Sequence, residues 1–520
     1  MPRRSRAVPA LLAALLAAGP GLVGAAASAG AAADGGDPLA AQAAVRPVPV
    51  EATLPLRDVG EGPVPDGAAV AAALEEELAA DTLGDLTHVA VDVRDALSGT
   101  VLFQQYQNPG FTPASLTKLL TAAAVSSTLP PREGFPTVAV RGEEPGQVVL
   151  VAGGDMLLSA GEGDPHAVVG HAGLGDLADQ VAAALDDEGV LAGSSGAADD
   201  ASVTTPSGAA DDASVTTPSG AAADASVTTS PGDGQGSGPE VTLAVDLGHA
   251  PGARRPEGWT DFWMRNGYTG PIAMLGLAQD RAWPGDPAPA SPEQSAARAF
   301  RVALEEAGVR VGGEPDEEVP VVTAPPDAPV LGEVESAPAV DVLRTALEDS
   351  DNALVEQLAR QAAVLDGAGG EPRQVTQWVL DRLTQDGLDV SGVTLADVSG
   401  LSDGTRVPAR VVGDVLVAGA DGSHPALQRT LARLPVAGFS GTLWNRFHLP
   451  VHDPAVGVAR AKTGSLPAIT SLAGYVVTGD GRLLTFVVIA DRLRDANPVE
   501  ARSTIDEIVA ELARCGCRAR

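Results

Sequence analysis

Apolar and polar residues alternate along Val89-Ala-Val-Asp-Val93, pause at Leu97-Ser-Gly99 and resume from Val101 to Gln105, and this period of two about a turn predicts a β-hairpin. A second hairpin is expected near the end of the chain, where Ser471 to Val477 and Leu483 to Ile489 flank the turn Thr478-Gly-Asp-Gly481. Between these pairs the period lengthens to that of a helix. The apolar run Leu116 to Val125 leaves Pro113-Ala-Ser115, where proline suits a first helical turn and a serine hydroxyl suits a cap. Ala69 to Leu78, Ala353 to Ala363 and Pro498 to Arg514 also read as helices, the last of them amphipathic. Strands near both ends with helices between them indicate an α/β (α+β) fold, a sheet flanked by helices, closed by its own end segments and interrupted by a long insertion.

The pattern fails in three places. Ser195 to Pro206 reads SGAADDASVTTP, Ser207 to Pro218 repeats it letter for letter, and Ser219 to Ser230 is a degenerate third copy. Each unit holds a single valine, too little apolar surface to offset the entropy of ordering, so 195–238 is expected to be a disordered repeat tract. Gly312 to Pro338, rich in proline and acids, reads as a linker. At the start, Arg3, Arg4 and Arg6 precede the apolar run Val8 to Ala18 and the small-residue stretch Ala25 to Ala29, which is the pattern of a secretory signal peptide over 1–29. That run is too short to span ~30 Å of hydrocarbon, and no later stretch is long enough, so an exported chain without an integral membrane span is expected. The resulting division is a main domain over 30–135 and 340–520, with 136–339 as one or more insertion domains.

Composition removes several function classes. The 520 residues carry 34 Lys and Arg against 68 Asp and Glu, and a net charge of −34 argues against nucleic acid as a partner. Seven histidines and two cysteines show no metal-ligand spacing, so neither metal nor cofactor is expected. Cys515 and Cys517 lie too close for anything but a tight local bridge, an intermolecular bond or a frayed end, and the dispensable tail is the favoured reading.

Lysine occurs only as Lys118 and Lys462, every other cation being arginine, which places both lysines where a guanidinium will not serve. In Ser115-Leu-Thr-Lys118 a spacing of three puts hydroxyl and ammonium on one helical face, at a helix start whose free N–H groups favour negative charge. Ser115 is then a candidate nucleophile. Lys118 becomes its base if burial beside a second cation lowers its proton affinity, and Lys462 is the natural second cation. In Lys462-Thr-Gly464, glycine would let a substrate backbone approach closely and Thr463 would donate to a carboxylate. Ser350-Asp-Asn352 lies between the two lysines at a helix entry starting from Ser350, where Ser, Asp and Asn are all favoured as the cap.

Taken in order, Ser115-x-x-Lys118, Ser350-x-Asn352 and Lys462-Thr-Gly464 resemble the three motifs of penicillin-binding proteins and serine β-lactamases. The long gap between the first two, with the blocks Val151 to Asp155, Ser399-Gly-Leu-Ser402, Gly441-Thr-Leu443 and Ala459 to Tyr475, is similar to low-molecular-weight class C enzymes, the D-alanyl-D-alanine carboxypeptidase/endopeptidases of peptidase family S13. The resemblance covers roughly 70 to 510. Ser465 stands where the family often has threonine and Met156 where it usually has proline. It implies a serine D,D-peptidase of the cell wall that works on peptidoglycan stem peptides and is acylated by β-lactam antibiotics. By position it also implies Ser115 as nucleophile, Lys118 as base, Ser350 as proton relay to the leaving amine and Asn352 on the substrate amide. Lys462 and Thr463 would hold the terminal carboxylate, and the N–H groups of Ser115 and Ser465 would form the oxyanion hole.

Three rival readings are available. Gly400-Leu-Ser402-Asp-Gly404 matches a nucleophile elbow, with His424, His448 and His452 downstream, although Thr405-Arg-Val-Pro408 delays the helix such an elbow needs. A serine β-lactamase shares the acylation chemistry but needs a carboxylate to activate water. A wall-binding module that keeps the fold without turnover is the third.

Overall fold

A computed structural model describes residues 60, 62–187, 240–493 and 497–516. The expected signal peptide and the repeat tract lie outside these residues.

Five antiparallel strands form the central sheet, in the spatial order Ala459–Leu466, Ile469–Val477, Leu483–Ala490, Val89–Asp95 and Val101–Gln105. Both expected hairpins are present, and Leu483–Ala490 joins them by pairing with Val89–Asp95, so strands from the two ends of the chain meet in the middle of the sheet. Successive side chains point to opposite faces and both faces are covered. Val91, Val93, Leu472, Phe486 and Val488 pack with Ile505, Ile508 and Val509 of the closing helix Pro498–Arg514. Ala473, Tyr475, Val487 and Ile489 pack instead with Leu119, Leu120, Val412 and Leu416 of the helical layer. Cys515 is buried against the first of these cores, which corrects the expectation of a dispensable tail at that position.

Within the helical layer, Thr117–Ser126 is buried along nearly its whole length, as a helix apolar on every side must be. Residues 136–335 carry a second, four-stranded sheet in the order Thr242–Asp246, Gln147–Val151, Pro136–Arg141, Val330–Glu335, one of whose pairings is parallel. The helices Leu174–Asp187 and Pro292–Glu306 pack on it, and Leu401 enters the same core. The stretch 312–338 is not a linker. Its prolines bracket Val330–Glu335, an edge strand, and Val321 bridges to Val245; proline is tolerated at an edge because no ladder donor is lost there. Among the described residues no helix is long and apolar enough to cross a membrane.

Candidate active site

The three motifs come from distant parts of the chain and converge at the edge of the central sheet. Ser115 sits in a tight turn, Ala114–Leu116, immediately before the helix Thr117–Ser126. Its hydroxyl caps nothing, contrary to expectation. The turn is fixed by other groups: Ser471 Oγ donates to the Pro113 carbonyl at 2.8 Å and Thr117 Oγ1 to the Ala114 carbonyl at 2.9 Å. Ala114 is held at φ 52°, a left-handed conformation costly for any residue but glycine, which the surrounding bonds over-determine. Oγ of Ser115 is thereby left to Lys118, whose Nζ donates to it at 3.1 Å.

Lys118 is fully buried, and its other acceptors are Asn352 Oδ1 at 2.5 Å and the Ser399 carbonyl at 2.8 Å. All three acceptors are neutral. Burial brings its ammonium down from 10.5 to about 8, opposed by the negative charges of Asp397, Asp351 and Glu356. Behind it, Glu356 Oε1 accepts from the amides of Val398 and Ser399, while Asp397 accepts from Ser399, Gly400, Ser402 and the Trp259 indole. Burial first, and Asp397 second, push the Glu356 carboxyl up to about 8. Sequence reading misses this acid pair because its partners are backbone amides rather than a motif.

Ser350 is not a helix cap either. It ends the helix Ala339–Glu348 at φ 59°, with Asp351 N–H closing back on the Ala346 carbonyl at 3.0 Å, so serine occupies the left-handed position usually given to glycine. Asp351 is the cap of the next helix, Asn352–Leu365, accepting from Leu354 N–H at 3.0 Å. That division of labour frees the Ser350 hydroxyl, which accepts from Lys462 Nζ at 2.8 Å. Asn352 donates one N–H of its amide nitrogen to the Tyr268 carbonyl at 2.8 Å, which leaves the second N–H of that group for another acceptor.

Lys462 is also fully buried, and its second acceptor is the Thr463 carbonyl at 3.0 Å. Burial first, then the charge of Lys118, drive it well below its ordinary value, with only Asp349 opposing. Thr463 donates to Thr442 at 2.9 Å, and Ser465 Oγ accepts from Arg502 at 3.3 Å. Gly464 does not reserve space for substrate: a Cβ there would meet Ser471 Oγ at 2.2 Å and the Pro113 carbonyl at 2.6 Å. Its role is to let the motif strand lie directly against the Ser115 turn.

The rival elbow does not form. Ser402 is buried beneath Gly258 and followed by a turn and the short strand Val407–Pro408 rather than a helix, and His452 lies beside Phe447 and beside Ser503 of the closing helix. Among the described residues no group of three metal-ligating side chains occurs.

Sheet, buried helix and convergent motifs define a serine enzyme of the penicillin-binding-protein and β-lactamase class. The sequence profile of the D-Ala-D-Ala carboxypeptidase 3 (S13) family matches residues 70–226 and 284–512, and the chain belongs to that family. Carboxypeptidase DacB of Mycolicibacterium smegmatis is 32% identical over 489 residues, covering 92% of this chain and 91% of its own. A carboxypeptidase of Mycobacterium tuberculosis is 32% identical over 480 residues, covering 91% and 89%. Penicillin binding protein 4 (dacB) of Haemophilus influenzae superposes with a TM-score of 0.61 at 17% identity, covering 86% of this chain and 99% of its own, which shows the shared fold. This chain is thus a serine-type D,D-peptidase of peptidoglycan.

Proposed function

We propose that Ser115 is the nucleophile of this D,D-peptidase and Lys118 its base. The carrying observation is the contact of Lys118 Nζ with Ser115 Oγ at 3.1 Å, made by a buried amine with no charged hydrogen-bond partner. Neutral Nζ takes the hydroxyl proton, Oγ bonds to the carbonyl carbon of the penultimate D-Ala, and the tetrahedral adduct collapses by breaking the C–N bond. The departing amine receives its proton through the Ser350 hydroxyl, which Lys462 replenishes across their 2.8 Å bond. Water then hydrolyses the ester. The N–H groups of Ser115 and Ser465 are the proposed oxyanion donors, a reading supported by the close approach of the edge strand at Gly464 to the Ser115 turn.

Lys462 and Thr463 are the proposed anchor for the terminal carboxylate, with the second N–H of Asn352 proposed for the substrate amide. An arriving carboxylate adds negative charge beside Lys462, which favours its protonated form and so the neutral form of Lys118. The same position suits the carboxylate of a β-lactam, a covalent inhibitor of this mechanism; the Haemophilus influenzae protein has been solved as a β-lactam complex. The domain division 30–135 with 340–520 around an insertion over 136–339, and an extracytoplasmic, cell-wall location, complete the reading. A β-lactamase is disfavoured because Glu356 and Asp397 are buried and occupied by amides, leaving neither to activate water.

The test is release of D-alanine from peptides ending in D-Ala-D-Ala, and from cross-linked dimers, by the wild-type protein and by Ser115→Ala. Retention of turnover by the variant would contradict the assignment.

A further inference from the structure

Arg281 belongs to the segment read as the insertion, far in sequence from every motif, yet it reaches the second one. Its Nε donates to Asp351 at 3.0 Å and its terminal nitrogen to Asp349 at 2.9 Å, so one guanidinium bridges the two carboxylates on either side of Ser350. The side chain is 6% exposed, and its guanidinium carbon lies 5.0 Å from the centre of the Trp283 ring. A buried, stacked and doubly paired arginine is held in one geometry, unlike a solvated surface pair.

Two features make that clamp matter. Ser350 occupies a left-handed position that is costly for a non-glycine residue, so neighbours must hold it there. Asp349 and Asp351 are also among the negative charges that favour protons on Lys462 and Lys118 respectively. Other charged groups around this region are Asp280, which lines the same pocket as Arg281 and Asp351, Glu356 and Asp397 behind Lys118, Glu348 at the helix end and Arg502 at Ser465. Among these, Arg281 alone is paired with both Asp349 and Asp351.

We propose that Arg281 is a positioning residue for acyl transfer: by bridging Asp349 and Asp351 it fixes the Ser350 turn against Lys462 and balances the charge of the two carboxylates that flank it. This rests on the reading of Ser115, Lys118 and Lys462 given above. The insertion is then wired into the chemistry through a charge.

The readout is the rate of acylation by benzylpenicillin as a function of pH, with circular dichroism to check folding. Arg281→Gln should move the acid limb of the profile upward by roughly one unit, slowing acylation about tenfold at neutral pH, and adding Asp351→Asn, which removes the carboxylate acting on Lys118, should move it back. Asp351→Asn alone keeps Arg281 and the capping oxygen while removing the carboxylate that acts on Lys118, so its acid limb should move downward; this variant decides the matter if Arg281→Gln does not fold. A uniform slowing at every pH, with the limb unmoved in the folded variants, would make Arg281 a structural strut and overturn the proposal. Absence of any label on the wild-type protein would bring down the acyl-transfer reading itself and this proposal with it. Label on the wild type with unmoved limbs in the variants would overturn the Arg281 proposal alone.

Discussion

The ammonium of Lys462 lies 2.8 Å from the hydroxyl of Ser350, so the cation of the third motif is handed directly to the hydroxyl of the second. Ser115 is paired in the same way with Lys118 at 3.1 Å. In the mechanism proposed above, the Ser115–Lys118 pair would serve attack and the Ser350–Lys462 pair protonation of the leaving group.

Replacing each lysine by arginine should separate these roles. Lys118→Arg introduces a group that stays protonated at any working pH and cannot accept the Ser115 proton, so acylation should fall by about 10²- to 10⁴-fold. Lys462→Arg keeps the charge and disturbs the geometry at Ser350, so its loss should be clearly smaller. Acylation rates of the two folded variants, measured side by side, check the difference. Near-wild-type acylation by Lys118→Arg would remove the lysine-base mechanism.

The wild-type rate should itself depend on pH in a stated direction. Because Lys118 must be neutral to act and its folded value is about 8, acylation should climb as pH rises through that region. A profile flat from neutral to alkaline pH would show that some other group limits the step.

Gly464→Ala should damage the site without touching any reacting atom. The new methyl would collide with Ser471 Oγ and the Pro113 carbonyl, and the second is backbone, so the motif strand must move away from the Ser115 turn. Both melting temperature and acylation should drop, and Ser471→Ala added to it should recover only part, since the carbonyl remains. Unchanged acylation by Gly464→Ala would show that the close approach is dispensable.

Glu356→Gln tests the buried acid. Its folded value, about 8 against 4.5, is raised, so its contribution to stability is complete below pH 4.5 and is lost as pH rises from there through about 8. Glutamine keeps the oxygen that accepts from Val398 and Ser399 but never ionises. The variant should therefore match wild type near pH 4.5 and become progressively more stable than it toward pH 8, by on the order of a few kcal/mol. Thermal melts across that range check it; a wild-type advantage that widens with pH would contradict the assignment.

Much of the fold and site is legible in the sequence because it is local. Alternation and turn residues place both terminal hairpins and the closing helix, and the scarcity of lysine by itself singles out Lys118 and Lys462. Sequence reading misjudges the capping serines for one physical reason. A cap needs extended backbone, and tertiary bonds hold both turns left-handed, at Ala114 in one and at Ser350 itself in the other, which leaves each hydroxyl for its lysine. The same limit hides Glu356, Asp397 and Arg281, whose partners lie tens to hundreds of residues away or on the backbone, where no spacing rule applies. The strand Val330–Glu335 is obscured by the surrounding prolines and acids, although it is only an edge.

The central claim, covalent acylation of Ser115, is tested most directly by intact mass after incubation with benzylpenicillin, followed by peptide mapping. The wild-type protein should gain one drug mass on the peptide that contains Ser115, and Ser115→Ala should gain none. Uptake of the label by Ser115→Ala at the wild-type rate would contradict it.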